Sequence, residues 1–171
     1  RPPIPYAEGR CVGGSTVING GMTWRAPEQA LVEWERITGQ PDLGAKAMEP
    51  LFDRVEARIH AKPQHSSSVG DDSRLLEEGA RRLGWRYEHN RRAQDRCVGS
   101  NQCVTGCPTG AKQSTLLSYM PRALSHGARC FTEVRVHRLW IEGGRCVGVI
   151  GKAINPRTRE EDIDLRVRAK A

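Results

Sequence analysis

The sequence predicts an α+β fold, with helices first, a cysteine-containing loop next and an antiparallel β-meander at the C-terminal end. Three observations carry this. Apolar residues recur at helical spacing through residues 28–60 and again before Gly84. From Ala128 onward the hydrophobic period falls to two. Gly143-Gly144 and Asn155-Pro156-Arg157-Thr158 then break that alternation as turns.

Residues 1–27 are rich in Gly and Pro and read as a structured loop leading into a helix. Leu31, Trp34 and Ile37 share a helical face that ends at Gly39-Gln40-Pro41-Asp42, and Met48, Leu51, Phe52, Val55 and Ile59 resume it. Residues 63–72 read as a loop. Asp72 or Ser73 caps a helix through Leu75, Leu76, Ala80 and Leu83 that stops at Gly84. Residues 86–110 have no clear period, and residues 113–124 are helical. Residues 130–134, 136–142, 145–150 and 161–168 read as strands. This organisation divides the chain into residues 1–60, a loop at the N-terminus with following helices; residues 61–110, a loop and helix insertion with the cysteines; and residues 111–171, a helix and the meander.

Composition excludes some classes. With 37% apolar and 27% charged residues the chain is too apolar for a disordered tail and too polar for a membrane protein. No apolar run reaches the roughly 20 residues of a membrane span. The start, Arg1-Pro2-Pro3-Ile4-Pro5, has neither an initiator Met nor a signal pattern, so the chain reads as an internal piece of a longer protein. Its compartment stays open between cytoplasm and periplasm.

The formal charge of +7 raises a nucleic-acid reading. Arg81, Arg82, Arg86, Arg91, Arg92 and Arg96 lie close in sequence, with Trp85 and Tyr87 among them. Glu77, Glu78, Glu88 and Asp95 dilute the run, and no nucleic-acid-binding motif accompanies it, so a solvated helix end and loop is expected. The five histidines, His60, His65, His89, His126 and His137, have no catalytic spacing and read as surface or capping residues. Trp24 and Tyr119 are candidates to line a cavity or to pack in the core.

The segment Gly9-Arg10-Cys11-Val12-Gly13-Gly14-Ser15-Thr16-Val17-Ile18-Asn19-Gly20-Gly21 is dense in small residues. Glycines followed by hydroxyls let a backbone approach an anion or a planar ligand closely. It lacks the Gly-Lys-Ser/Thr of a phosphate loop and the G-x-G-x-x-G of a dinucleotide fold. It resembles a signature of the glucose–methanol–choline (GMC) family of flavin oxidoreductases, departing at Thr23 and carrying Trp24 one position late. Glu49-Pro50-Leu51-Phe52, Gly110-Ala111-Lys112-Gln113-Ser114-Thr115, Tyr119-Met120-Pro121-Arg122-Ala123 and Gly144-Arg145-Cys146-Val147-Gly148-Val149 look like later parts of the same family, so the likeness covers nearly the whole chain.

The resemblance implies an FAD-binding domain of GMC type, α/β in the whole enzyme, and flavin-dependent oxidation of a CH–OH group to an aldehyde or ketone. It implies that Gly13, Gly14 and Ser15 lie by the pyrophosphate and ribityl chain, Asn19 and Gly20 by the flavin ring, and the backbone of Val136 by adenine. The dinucleotide fingerprint and the catalytic His of the family are expected outside this stretch, which contributes no catalytic residue and should be inactive alone. The implied partners are an alcohol, sugar or sterol substrate and oxygen, a quinone or a cytochrome as electron acceptor, with no nucleic acid and no membrane span.

Six cysteines divide into two sets. Cys11, Cys130 and Cys146 sit in apolar or Gly-rich surroundings and are expected to be small buried hydrophobes. Cys97-x₅-Cys103-x₃-Cys107-Pro108 is tighter. Three thiols can share one metal centre: zinc would need a fourth ligand, for which His89 and His126 are candidates, whereas a three-iron, four-sulfur cluster needs only three thiolates. Members of the GMC family that pass electrons onward look similar here and hold such a cluster, while other members have cysteines at this place without one. Structural or redox-inert thiols, or a disulfide, therefore stand beside the cluster. A reading from another class is a metal-binding module, zinc or iron–sulfur, with a basic loop for nucleic acid.

Overall fold

The structure is a computed structural model and describes residues 3–169. It divides into two compact units, one ending at His126 and the other beginning at Gly127.

Among the described residues the first unit holds five α-helices, two short 3-10 helices and a small two-stranded sheet. After the short α1 (Ser15–Ile18), α2 (Glu28–Thr38) buries Leu31 and ends where Gly39 enters the left-handed region at φ 66° and bonds back to Glu35 O. Helix α3 (Ala45–Ile59) ends at His60, a left-handed cap at φ 53° whose N–H reaches Glu56 O. Helix α4 (Asp71–Arg82) has Asp71 and Asp72 in its first turn and Arg81 and Arg82 in its last, the arrangement that complements the helix dipole. Trp85 N–H then donates to Ala80 O across Gly84 (φ 67°). Helix α5 (Thr115–Ser125) follows Ser114 and ends at His126. The helical reading of residues 28–60, 72–84 and 113–124 thus holds, with ends shifted by a residue or two. His60, His65 and His126 do act as caps. Among the described residues no helix is long and apolar enough to cross a membrane.

Residues 86–110 are not shapeless. β1 (Ala61–Pro63) and β2 (Arg91–Ala93) pair antiparallel, Ala61 opposite Ala93. Strand β2 also bonds along its other edge. Met22 bridges Arg92, Gln94 bridges Lys112, and Ala93 N–H donates to Gly21 O at 2.8 Å. The loop after α1 and the segment before α5 are therefore both held by one short strand. Ala61, Ala93 and Ala111 are all buried there, since only small side chains fit so close an approach.

A four-membered ion network braces this region from α3. Glu56 is buried, accepts Arg25 Nε and Nη2 at 3.0 and 2.6 Å, and accepts Arg91 Nη2 at 2.7 Å. Asp53 takes Arg25 Nη2 at 2.6 Å, so two cations meet two anions. The expectation that the arginine run is a solvated loop is corrected here. Arg81 and Arg82 do pair with Glu78 on the surface of α4, but Arg91 is bound to Glu56 and Arg92 Nη2 donates to Gly20 O at 2.5 Å. Both are structural ties.

The second unit is the predicted meander, ordered β3 (Val134–Glu142), β4 (Arg145–Ile154), β5 (Glu161–Arg168). Gly143 and Gly144, at φ 54° and 75°, make the two-residue turn that matches strand twist. The expected strand at 130–134 begins only at Val134, because Glu133 takes φ 53° and breaks the extended run. Cys11, Cys130 and Cys146 are exposed rather than buried. Cys11 lies on an open turn, Cys130 precedes the Glu133 break, and Cys146 opens β4, where the strand's first two residues face out.

Candidate functional site

The glycine-rich loop folds as a tight turn. Gly14 N–H donates to Cys11 O at 2.9 Å, and Gly9 N–H donates to Ser15 Oγ at 3.2 Å. A Cβ on Gly9 would lie 2.5 Å from Gly14 O, so the loop closes on itself there.

Gly13 and Gly14 both have positive φ, at 96° and 55°, but differ in surroundings. A Cβ on Gly13 would meet Val17 Cγ2 at 2.7 Å and Leu116 Cβ at 3.0 Å, against the start of α5. A Cβ on Gly14 would meet nothing within 4 Å. Gly13 is therefore a packing glycine, while Gly14 presents backbone to open space. Ser15 is exposed beside it.

The segment Lys112–Thr115 grips this loop from the far side. Thr16 Oγ1 accepts Thr115 N–H at 3.1 Å, the two threonine oxygens lie 3.0 Å apart, and Thr115 Oγ1 donates to Gly13 O at 3.0 Å. Lys112 Nζ donates to Asn19 O at 2.6 Å and also to Val17 O, satisfying carbonyls left open by the end of α1. Asn19 Oδ1 accepts Gly21 N–H at 2.9 Å, which fixes the following turn. Among the described residues Asn19 Nδ2 has no acceptor. Behind the loop a cavity of about 200 Å³ is lined by Thr16, Asn19, Met22, Val55, Thr115 and Tyr119, among others. Gly20 packs near Val104 and gives its carbonyl to Arg92.

Lys112, Thr16, Thr115 and Arg92 are supports of this loop that reading the residues did not single out. The two motifs containing Lys112 and Thr16 were both visible, but nothing in their spacing says that they meet.

Val136 lies in the second unit on β3, exposed, opposite Gly151 and beside the register shift between Val136 and Arg138. A Cβ on Gly151 would strike the Arg135 carbonyl, so the backbones are close at that point.

The clustered cysteines are free thiols, each partly buried. Cys97 Sγ accepts Gly99 N–H at 3.4 Å, and Cys107 Sγ lies 3.6 Å from Thr109 Oγ1. Among the described residues no three His, Cys, Asp or Glu side chains gather into a group that could hold a metal ion. The three thiols in this arrangement do not fit a shared cluster, and neither His89 nor His126 joins them. Cys107 has its own environment. Burial pushes its thiol up, but the Lys112, Thr109 and Ala111 N–H groups and the Thr109 hydroxyl outweigh that and bring it down to about 7.

Comparison with known proteins agrees with this architecture. The GMC oxidoreductase family model matches residues 2–167. A GMC-type oxidoreductase of Sinorhizobium fredii is 34% identical over 152 residues, covering 89% of this chain and 30% of the relative. One from Mycobacterium tuberculosis is 33% identical over 149 residues, covering 87% and 24%. A long-chain-alcohol oxidase of Arabidopsis thaliana is 26% identical over 155 residues, covering 85% and 21%. The chain thus spans less than a third of the length of these relatives. With its helices, cysteine loop and antiparallel meander in the predicted order, and a family match over nearly its whole length, this chain belongs to the GMC oxidoreductase family.

Proposed function

We propose that this chain is the flavin-holding part of an FAD-dependent enzyme that oxidises an alcohol CH–OH to an aldehyde or ketone. Membership in the family implies FAD, and the long-chain-alcohol oxidases among its distant relatives support an alcohol as donor. The observation that carries the reading is Gly14, whose backbone faces open space at a φ only glycine adopts readily, in a loop fixed from behind by Lys112 and Thr115. That is the form of a cradle a cofactor can approach and a side chain would fill.

In this reading Gly13, Gly14 and Ser15 lie along the pyrophosphate and ribityl side of FAD, Gly14 by letting the cofactor approach its backbone closely and Ser15 through its hydroxyl. Asn19 offers its amide donor and Gly20 its backbone to the ring, and Val136 offers backbone to adenine. When bound, FAD would supply the redox chemistry as a hydride acceptor. This chain's part is positional. Lys112 and Thr115 keep the loop from opening, and the Arg92 bond to Gly20 O holds its exit. No step is assigned to the cysteines. The electron acceptor, whether oxygen, a quinone or a cytochrome, is met by the enzyme as a whole.

An absorbance spectrum of the purified full-length protein tests this. Flavin bands that bleach anaerobically with a primary or secondary alcohol are expected. A colourless protein that binds no added FAD would overturn the reading.

A further inference from the structure

Helix α4 meets its own unit with a polar side and leaves its apolar side uncovered. Glu77 lines a cavity with Trp24, Tyr87 and His89, and its carboxylate acts on the Tyr87 hydroxyl and the Arg81 guanidinium. Glu78 pairs with Arg81, and with Arg82 Nε at 2.8 Å. Leu75, Leu76, Gly79 and Leu83 follow Asp72 at three, four, seven and eleven residues, the spacing of a single helix stripe on the side away from Glu77. Leu75, Leu76 and Leu83 are 74%, 72% and 64% exposed, and no residue of the helix is buried. A Cβ on Gly79 would meet nothing within 4 Å. We propose that α4 is the contact of a two-fold homodimer, packing antiparallel on α4 of a second copy and crossing it at Gly79.

The stripe is complementary to itself, and this selects a second copy as its occupant. A two-fold axis at Gly79 exchanges residues that stand equally far on either side. Leu75 and Leu83 are four residues from it, so each leucine of one copy faces the other leucine of the second. Asp72 and Arg86 are seven residues from it, so the two ends of the stripe bring opposite charges together. Both charges are available for this. Asp71 is turned to Arg74 at 3.3 Å, whereas among the described residues Asp72 makes no ion pair. Arg86 has only Glu88, at 3.7 Å, with both side chains well exposed. At the axis itself Gly79 carries no side chain, and the distance between packed helices is set by the side chains at their crossing. An unrelated segment laid on the stripe would not call for this match about one residue. A single helix pair is a small contact, so the dimer is expected to be weak, with a Kd of roughly 1–100 μM.

The inference does not depend on flavin binding, and its test reads mass rather than turnover. Sedimentation velocity of the full-length protein, over concentrations spanning that Kd, is expected to show a monomer–dimer equilibrium. Gly79→Gln separates the possible occupants. Its Cβ has room within the chain and a helix prefers Gln to Gly, so the monomer should melt no lower than wild type. The added side chain at the crossing should nevertheless weaken the dimer by about tenfold or more, as should Leu75→Glu. Asp72→Arg and Arg86→Asp should each weaken it about tenfold, because the two-fold sets each reversed charge against a like one twice. The double reversal should restore it.

A monomer at every concentration would overturn the proposal. A monomer whose melting temperature falls in Gly79→Gln would overturn it by showing that another part of the polypeptide covers α4. A dimer of unchanged affinity in both Gly79→Gln and Leu75→Glu would place the interface elsewhere. A dimer weakened by those variants but indifferent to both charge reversals would remove the antiparallel pairing, and the proposal with it.

Discussion

Thr16 and Thr115 stand 99 residues apart in the chain, yet their hydroxyl oxygens lie 3.0 Å from each other and both lie within reach of Gly13 O. Two motifs that read as separate in the sequence are one object in space. Each hydroxyl is partly buried and has its partners, and removing one strands the others. Thr115→Val is expected to cost about 1–2 kcal/mol, the range for losing a part-buried hydrogen bond and leaving its partner unsatisfied. The first measurement is the denaturant midpoint of the full-length protein. The second is FAD retention on gel filtration, which should fall with it. An unchanged midpoint would mean that the pair does not brace the loop.

Gly13 and Gly14 are neighbours with opposite reasons for being glycine, and substitution separates them. Gly13→Ala drives a Cβ into Val17 and Leu116 at positive φ, so it should destabilise the fold and reduce soluble yield. In Gly14→Val the Cβ meets no protein atom within 4 Å. At φ 55° and ψ −145° the variant's backbone lies where essentially only glycine sits, and the strain costs about 1–3 kcal/mol, which the fold should survive. It is nevertheless expected to lose FAD, because its side chain fills the space assigned to the cofactor. A folded Gly14→Val protein that is still yellow at full stoichiometry would remove Gly14 from the binding site.

The long helices and the meander were legible because their signals are local. Period, Asp71-Asp72 at a helix start, Gly39 and Gly84 at helix ends and Gly143-Gly144 at a hairpin each act within a few residues. The β1–β2 sheet was not, because strands of three residues give no period and their pairing joins Ala61 to Ala93. Glu56 could not be picked out either. Nothing nearby distinguishes it from other helix-surface carboxylates, and its partners Arg25 and Arg91 lie 31 and 35 residues away. The same limit applies to the site. The Gly-rich segment is visible from composition, but its clamp, Lys112, is identified only by where its ammonium ends.

Asn19 combines two tasks that a pair of variants can divide. Its Oδ1 holds the Gly21 turn, and its Nδ2 is the donor assigned to the flavin ring. Asn19→Asp keeps an acceptor for Gly21 and removes the donor, so the fold should persist while kcat falls. Asn19→Leu removes both and should add a stability loss. The drop in kcat for either is expected to be about ten- to a hundredfold, the equivalent of a bond worth roughly 1.5–3 kcal/mol. Turnover unchanged in Asn19→Asp would confine Asn19 to the turn.

The Glu56 network sets a pH dependence. Arg25, through its hydrogen bonds, and then Arg91 hold the Glu56 carboxyl below the usual carboxylate range despite burial. A carboxylate depressed in the folded state contributes stability above its unfolded pKa of about 4.3 and loses it as pH falls through the lower folded value. The melting temperature should therefore drop as pH is lowered below about 4.3. Glu56→Gln should be less stable at neutral pH and should flatten that slope. An equal slope in wild type and Glu56→Gln would place acid sensitivity in other carboxylates.

Cys107 supplies the last test, because its thiol lies near 7 rather than the roughly 8.5 of a free cysteine. The thiolate is the reactive form, so the rate of alkylation by iodoacetamide should rise through an inflection near pH 7, followed at Cys107 itself by peptide mass spectrometry. Thr109→Val removes one of the groups that stabilise the thiolate and should move the inflection upward while leaving the N–H contacts in place. The same material tests the cysteines as a set. Thiols that do not share a metal should alkylate at Cys97, Cys103 and Cys107 without a chelator, and Cys103→Ser should keep turnover with the natural acceptor. About three irons per chain after anaerobic purification, with all three thiols protected until the metal is stripped, would instead restore the three-cysteine cluster.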